Sequence, residues 1–202
     1  MHYFVVLSYL GDLAASASLI VGISFIFFLN KTWNFAMQWA LLNLLGLSLV
    51  VISKIAFIGW GVGIQAVDYT GFSGHAMRAA TVFPVLGFLI TKRKSNFVQV
   101  AMIVSTIGLS FMVGLSRLML EVHSPSEVIA GWLLGFAISA YFIYSISHLD
   151  HTFSYRPLII FFIVPLFFLG NFGATPTQRW LVEMSLYLSG SNQAYTRENW
   201  RS

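Results

Sequence analysis

His75 and Arg78 stand three residues apart and His123 and Glu127 four apart, so on helices each pair shares one face. Ser73-Gly74 lies just ahead of the first pair, Ser116-Arg117 ahead of the second, and Lys54 stands upstream within an apolar run. Together these residue types can carry out phosphoryl transfer. One imidazole attacks phosphorus, a second protonates the leaving oxygen, and cations with backbone N–H groups hold the equatorial oxygens. A carboxylate beside a histidine keeps it in the nucleophilic tautomer and stabilises the cation that forms, the place Glu127 has here. Gly74 lets the backbone approach a phosphate where a helix begins with its positive end. The same atoms admit a rival reading, a zinc site from His75, His123 and Glu127. It gives no role to Lys54 and Arg117, whose charge would repel a nearby metal.

These groups sit in a chain that is 57% hydrophobic and only 9% charged, which defines an integral membrane protein. Ionisable groups at membrane depth cost about 2.5 to 3.5 kcal/mol each on insertion scales, so Lys54, His75, Arg78 and Glu127 are read first as functional. Snorkelling or mutual pairing accounts for one such residue more easily than for four. The 202 residues hold about five to seven spans of about 20 residues. With no cysteine, disulfides, thiolate metal sites and a cysteine nucleophile are excluded. The net charge of +4 is not a nucleic-acid signal, because the cations fall at helix ends.

The expected fold is all-α, a polytopic bundle of about six membrane helices preceded by a short interfacial helix. Residues 2–11 form the interfacial helix, and the spans run 13–29, 33–57, 75–91, 96–115, 126–147 and 157–173. A removable signal peptide is not expected, since no basic region precedes the first span. The glycine-rich stretch 58–74 reads as a loop folded back against the site; the spacing of Gly59, Gly61 and Gly63 does not make a dinucleotide loop. Residues 1–173 form one membrane-embedded domain, and 174–202 an interfacial or flexible tail, frayed from Gly190. Gly131 and Gly135 mark a face for close helix packing. His2, His148 and His151 fall near a terminus or a turn and are assigned no chemistry.

Lys31, Lys92, Arg93, Lys94 and Arg156 share one side of the bilayer, and Arg117 with the tail residues Arg179, Arg197 and Arg201 the other. The positive-inside rule makes the first side cytoplasmic and turns the site outward, the expected setting being a cell inner membrane.

The spelling Ser116-Arg117, five residues, His123, three residues, then Glu127, followed by Gly131 and Gly135, resembles the third signature motif of the type 2 phosphatidic acid phosphatase superfamily. Ser73-Gly74-His75 resembles the second motif, with Phe72 in place of its proline, and Lys54 resembles the lysine that opens the first. The resemblance implies that His123 is the nucleophile, Glu127 its relay carboxylate and His75 the acid for the leaving group. Lys54, Ser73, Gly74 and Arg117 would bind phosphate, with no metal and no cofactor. It implies a lipid phosphate or diphosphate in the bilayer as substrate, such as phosphatidic acid, phosphatidylglycerol phosphate, undecaprenyl diphosphate or a lipid A phosphate. A phosphotransferase to a second lipid and a non-catalytic phospholipid binder or carrier are the alternatives.

Two departures bear on that expectation. Glu127 stands for the usual aspartate, and Gly61-Val62 occupy the positions of the first motif's arginine and proline. A charge-assisted hydrogen bond is worth about 1.5 to 3 kcal/mol, so an uncompensated loss costs about one to two orders of magnitude in transition-state binding. Arg78 is the expected substitute; pairing with Asp68 or Glu121 is its structural alternative.

Overall fold

A computed structural model of the chain describes residues 2–149, 160, 161, 163 and 177–200. Among them it is helical apart from turns and loops, with the α-helices α1 His2–Leu10, α2 Leu13–Leu29, α3 Trp33–Trp60, α4 Gly74–Thr91, α5 Asn96–Met119, α6 Pro125–Ser147 and α7 Thr177–Ser189. Five described segments are long and apolar enough to cross a membrane, the first being 3–29, which joins α1 and α2. The chain is a polytopic helical bundle. The sixth expected span, 157–173, lies outside the described residues apart from positions 160, 161 and 163, as do Arg156, His151 and Arg201.

Local chemistry sets the breaks. Asp12 caps α2 by accepting from the Ala14 N–H at 2.9 Å, so α1 and α2 meet at a corner rather than run on. With 28 residues, α3 is about 42 Å long and overshoots a hydrocarbon core of about 30 Å, with Lys54 near its C-terminal end. It ends at Gly61, whose φ of 71° is left-handed, with the Gly61 N–H bonded to the Phe57 carbonyl and the Val62 N–H to that of Ala56. The helix end at Trp60 comes three residues later than the expected span end at Phe57, because helical bonding continues until glycine permits the reversal. Likewise α5 continues past Leu115 to Met119, which places Arg117 in its last turn, where a cation meets the negative helix end.

Helix α4 is the buried axis of the bundle, with most of its residues enclosed. It packs mainly against α5 and α6 and also touches α2 and α3. Polar side chains tie these layers. Ser110 Oγ donates to the Ala79 carbonyl at 3.0 Å, and Trp132 Nε1 to the Ser110 carbonyl at 3.1 Å. The core centres on Ile23, Phe27, Trp39, Val82 and Phe142, with Trp39 Nε1 bonded to the Ile20 carbonyl. Gly131 and Gly135 let α6 lie directly on α4: a Cβ at Gly131 would stand 2.6 Å from the Ser73 carbonyl oxygen, and one at Gly135 would strike that of Met77. The loop 61–73 is fastened to α6 by the Ser73 N–H donating to the Glu127 carbonyl at 3.0 Å. Exposed Leu41, Leu45, Leu49 and Ile52 line the outer face of α3, the surface a bilayer would cover.

Candidate active site

Helix α6 begins with Ser124 as N-cap, Pro125 at its first position and Glu127 at the third, and both bonds of a capping box form. This cap fixes Glu127 and presents His123 just ahead of it. His123 Nδ1 lies 2.7 Å from Glu127 Oε2, and Glu127 is only 1% exposed. A carboxylate can only accept there, so Nδ1 carries the proton and Nε2 carries the lone pair. Glu127 is held at both oxygens. Oε2 also accepts from the Ser124 N–H at 3.2 Å, and Oε1 accepts from the Thr70 N–H at 3.0 Å, from Thr70 Oγ1 and from Arg197 Nη2 at 2.8 Å.

Burial pushes the His123 pKa below its ordinary value; the Glu127 hydrogen bond opposes this, while the cations Lys54 and Arg117 add to it. The direction of this shift favours the neutral form of His123, the one with a free lone pair.

Lys54 from α3, Gly74, His75 and Arg78 from α4, Arg117 from α5, and His123 and Glu127 all line one cavity of about 910 Å³. Ser73, fully buried, sits immediately before Gly74 at the α4 N-terminus. Among the described residues two buried side-chain polar atoms lack a hydrogen-bond partner, Ser73 Oγ and Arg117 Nε. An orphaned buried donor costs about 1 to 3 kcal/mol, and a site built to receive an oxyanion is where such a cost is expected. The lining also includes apolar side chains, among them Leu47 and Val50 of α3 and Trp180, Leu181 and Met184 of α7, so the cavity combines charged and apolar surface.

Arg78 does not pair with Asp68 or Glu121. Its Nε and Nη2 donate to the Gly11 carbonyl at 3.2 and 2.8 Å, at the corner between α1 and α2. Nη1 reaches to Gly74, where a Cβ would stand 2.8 Å from it, so a cation does stand over the helix N-terminus. Buried Asp12 acts electrostatically on both Arg78 and Arg117, and Ser8 accepts from Arg117 Nη1. No three His, Cys, Asp or Glu side chains among the described residues converge as a metal-ligand set.

Sequence reasoning missed Asp12, Thr70 and Arg197. Asp12 had a signal, an acid inside an apolar segment beside an excess of buried cations. Thr70 and Arg197 reach Glu127 across 57 and 70 residues, and no spacing pattern carries that.

The fold and site define a helical membrane protein with a histidine–carboxylate pair in a cation-lined cavity at one end of the bundle. The profile of the PAP2 superfamily matches residues 13–150, and the chain belongs to that superfamily, whose members are phosphatases. It is 34% identical over 196 residues to an uncharacterized 22.5 kDa protein in the cps region of Klebsiella pneumoniae, covering 95% of this chain and 94% of the relative. It is 35% identical over 66 residues to phosphatidylglycerophosphatase B of Bacillus subtilis strain 168, covering 31% of this chain and 32% of that one. No solved structure matches it.

Proposed function

We propose that the protein is a metal-independent membrane lipid phosphatase that removes a terminal phosphate from a phospholipid or polyprenyl diphosphate through a phosphohistidine on His123. The carrying observation is the His123–Glu127 pair opening on a cavity that Lys54, Arg78 and Arg117 also line. In the first step Nε2 of His123 attacks phosphorus as the bond to the leaving oxygen breaks, and His75 gives that oxygen its proton. Glu127 stabilises the imidazolium, while Lys54, Arg117, Arg78, Ser73 and the Gly74 N–H hold the equatorial oxygens. In the second step water attacks phosphorus, His75 takes its proton, and inorganic phosphate leaves with Nε2 restored.

The amphiphilic lining supports a lipid over a soluble phosphomonoester, because apolar residues of α3 and α7 line the same cavity as the cation cluster. The Bacillus relative's name supports a phospholipid monoester among the candidates. Lys31 and Lys92–Lys94 lie in the turns α2–α3 and α4–α5, at the other ends of the helices from the site, which supports an outward-facing site in a cell inner membrane.

The test is release of inorganic phosphate by purified protein in detergent with chelator, from phosphatidic acid, phosphatidylglycerol phosphate, a polyprenyl diphosphate and lipid A, beside His123→Ala. Turnover that disappears in the variant is expected. Full activity in His123→Ala, or activity abolished by chelator, refutes the mechanism.

A further inference from the structure

The segment after α7 does not fray from Gly190. It docks on the turn where the resembled motif would have its arginine and proline. The Tyr195 N–H donates to the Ile58 carbonyl at 2.8 Å, and Gln65 Nε2 to the Trp200 carbonyl at 2.7 Å. The Tyr195 and Trp200 rings both stand edge-on to Phe57, at 5.6 and 5.1 Å between centroids. A Cβ at Gly61 would lie 2.8 Å from the Tyr195 ring, and one at Gly63 2.8 Å from the Trp200 ring. An arginine at position 61 and this docked tail are mutually exclusive as the backbone stands.

Between the two aromatic anchors Arg197 enters the site. Its Nη2 donates to Glu127 Oε1 and its Nε to Asp68 Oδ1, each at 2.8 Å. The side chain is 33% exposed, its Asp68 partner 52% and its Glu127 partner 2%, so the guanidinium bridges the surface to the buried relay. Asp68 is held at φ 52° in the turn that the tail covers.

We propose that Tyr195–Trp200 is a working part of the site, and that Arg197 is a positioning residue which clamps Glu127 Oε1 so that Oε2 stays aimed at His123 Nδ1. The inference rests on the relay role given to Glu127 above. Arg197 also lines the cavity, but its Nη2 bonds the carboxylate oxygen that His123 does not use, which gives it a route of action through Glu127. Its cation also draws on the carboxylate charge, which leaves less of that charge to hold a proton on His123. The other charged or titratable groups around that cavity are Tyr9 on α1, Asp12 at the α1–α2 corner, Lys54 on α3, His75 and Arg78 on α4, Arg117 on α5 and Tyr195 of the tail, with Asp68 on the outer side of Arg197; all remain when Arg197 is replaced.

The test compares wild type, Arg197→Gln and Arg197→Lys by two readouts. In the first, isotope-labelled histidines are titrated by NMR in micelles, with the His123 signal assigned by its loss in His123→Ala. Arg197→Gln should move the His123 midpoint to higher pH, and Arg197→Lys should return it toward wild type. This readout needs no turnover, so it decides the role of Arg197 even if no lipid phosphate is hydrolysed, a result that refutes the phosphatase reading instead. In the second, Arg197→Gln should lower kcat about tenfold or more with KM nearly unchanged, as expected for loss of one charge-assisted bond to a group acting in the transition state. An unmoved His123 midpoint overturns the inference. So does a raised KM at unchanged kcat, which would put Arg197 on the substrate, or a gain in activity, which would make the tail a plug.

Discussion

Glu127 combines two roles that are usually separate, since one side chain closes the capping box of α6 and orients His123. Glu127→Gln separates them, because glutamine also closes a capping box but has no charge to stabilise an imidazolium. Because both carboxylate oxygens accept from donors that an amide nitrogen cannot satisfy, stability should fall by about 1 to 3 kcal/mol while kcat falls about 10²- to 10⁴-fold, checked by a melting curve and phosphate release on the same sample. Comparable losses of melting temperature and activity would make the residue structural. For His123 the sign follows from its lowered pKa. The neutral imidazole persists as pH falls below the ordinary histidine value, so kcat/KM should hold through about pH 6.5 and fall only below it. The stability linked to keeping this histidine neutral is likewise present above the unfolded value and lost as pH falls through the folded one. An acidic limb at or above pH 6.5 would contradict this environment for the nucleophile. Arg78→Ala should cost about one to two orders of magnitude in kcat/KM if the cation beside Gly74 stands in for the one absent at position 61, and full activity in that variant would end the idea. Much of the site was legible because the second and third motifs are short and local, each setting residues one helical turn apart. Asp12, Thr70 and Arg197 were not, since their partners lie far along the chain and depend on how helices and tail come together.

Among the elements, α4 carries the site because it is enclosed and α6 lies on it without intervening side chains at Gly131 and Gly135. That contact brings the start of α6, with His123 and Glu127, beside the start of α4, with Ser73 to Arg78. Gly135→Ala forces the helices apart at the Met77 carbonyl, with Ala80 Cβ 2.7 Å away as well, so it should destabilise by about 1 to 3 kcal/mol and reduce turnover. Gly108→Ala in α5 is the control, since nothing lies within 4 Å of its Cβ, and its helix preference makes it neutral or slightly stabilising. Melting temperatures of the two variants check the difference; equal behaviour would show that α4 and α6 are not in close contact. The apolar runs made five described segments legible as membrane helices, and the small-residue face was readable as packing. The late ends of α3 and α5 were not, because capping by Gly61 and the last turn around Arg117 depend on backbone geometry rather than hydropathy. Nor was the docking of α7 on α3, which composition alone leaves indistinguishable from a helix lying on the membrane surface.

Across the whole molecule charge is segregated along the bundle. The α4–α5 turn carries Lys92, Arg93 and Lys94 and the α2–α3 turn Lys31, while Lys54, Arg117, Arg197, Asp12, Glu127 and Asp68 gather at the other end. The first group is the one that the positive-inside rule would assign to the cytoplasm, whereas the cations of the second are held by Ser8, Glu127 and Asp68 or line the cavity, so they count for the site more than for topology. On this reading Arg197 is no argument for a cytoplasmic tail. The absence of cysteine makes the orientation directly measurable, because any introduced thiol is unique. Lys94→Cys and Asn192→Cys place one exposed thiol at each end of the bundle, the second beside the docked tail. In intact spheroplasts a membrane-impermeant maleimide should label Asn192→Cys at once and Lys94→Cys only after permeabilisation. The reverse pattern would turn the site toward the cytoplasm and restrict its substrates to lipid phosphates of the inner leaflet.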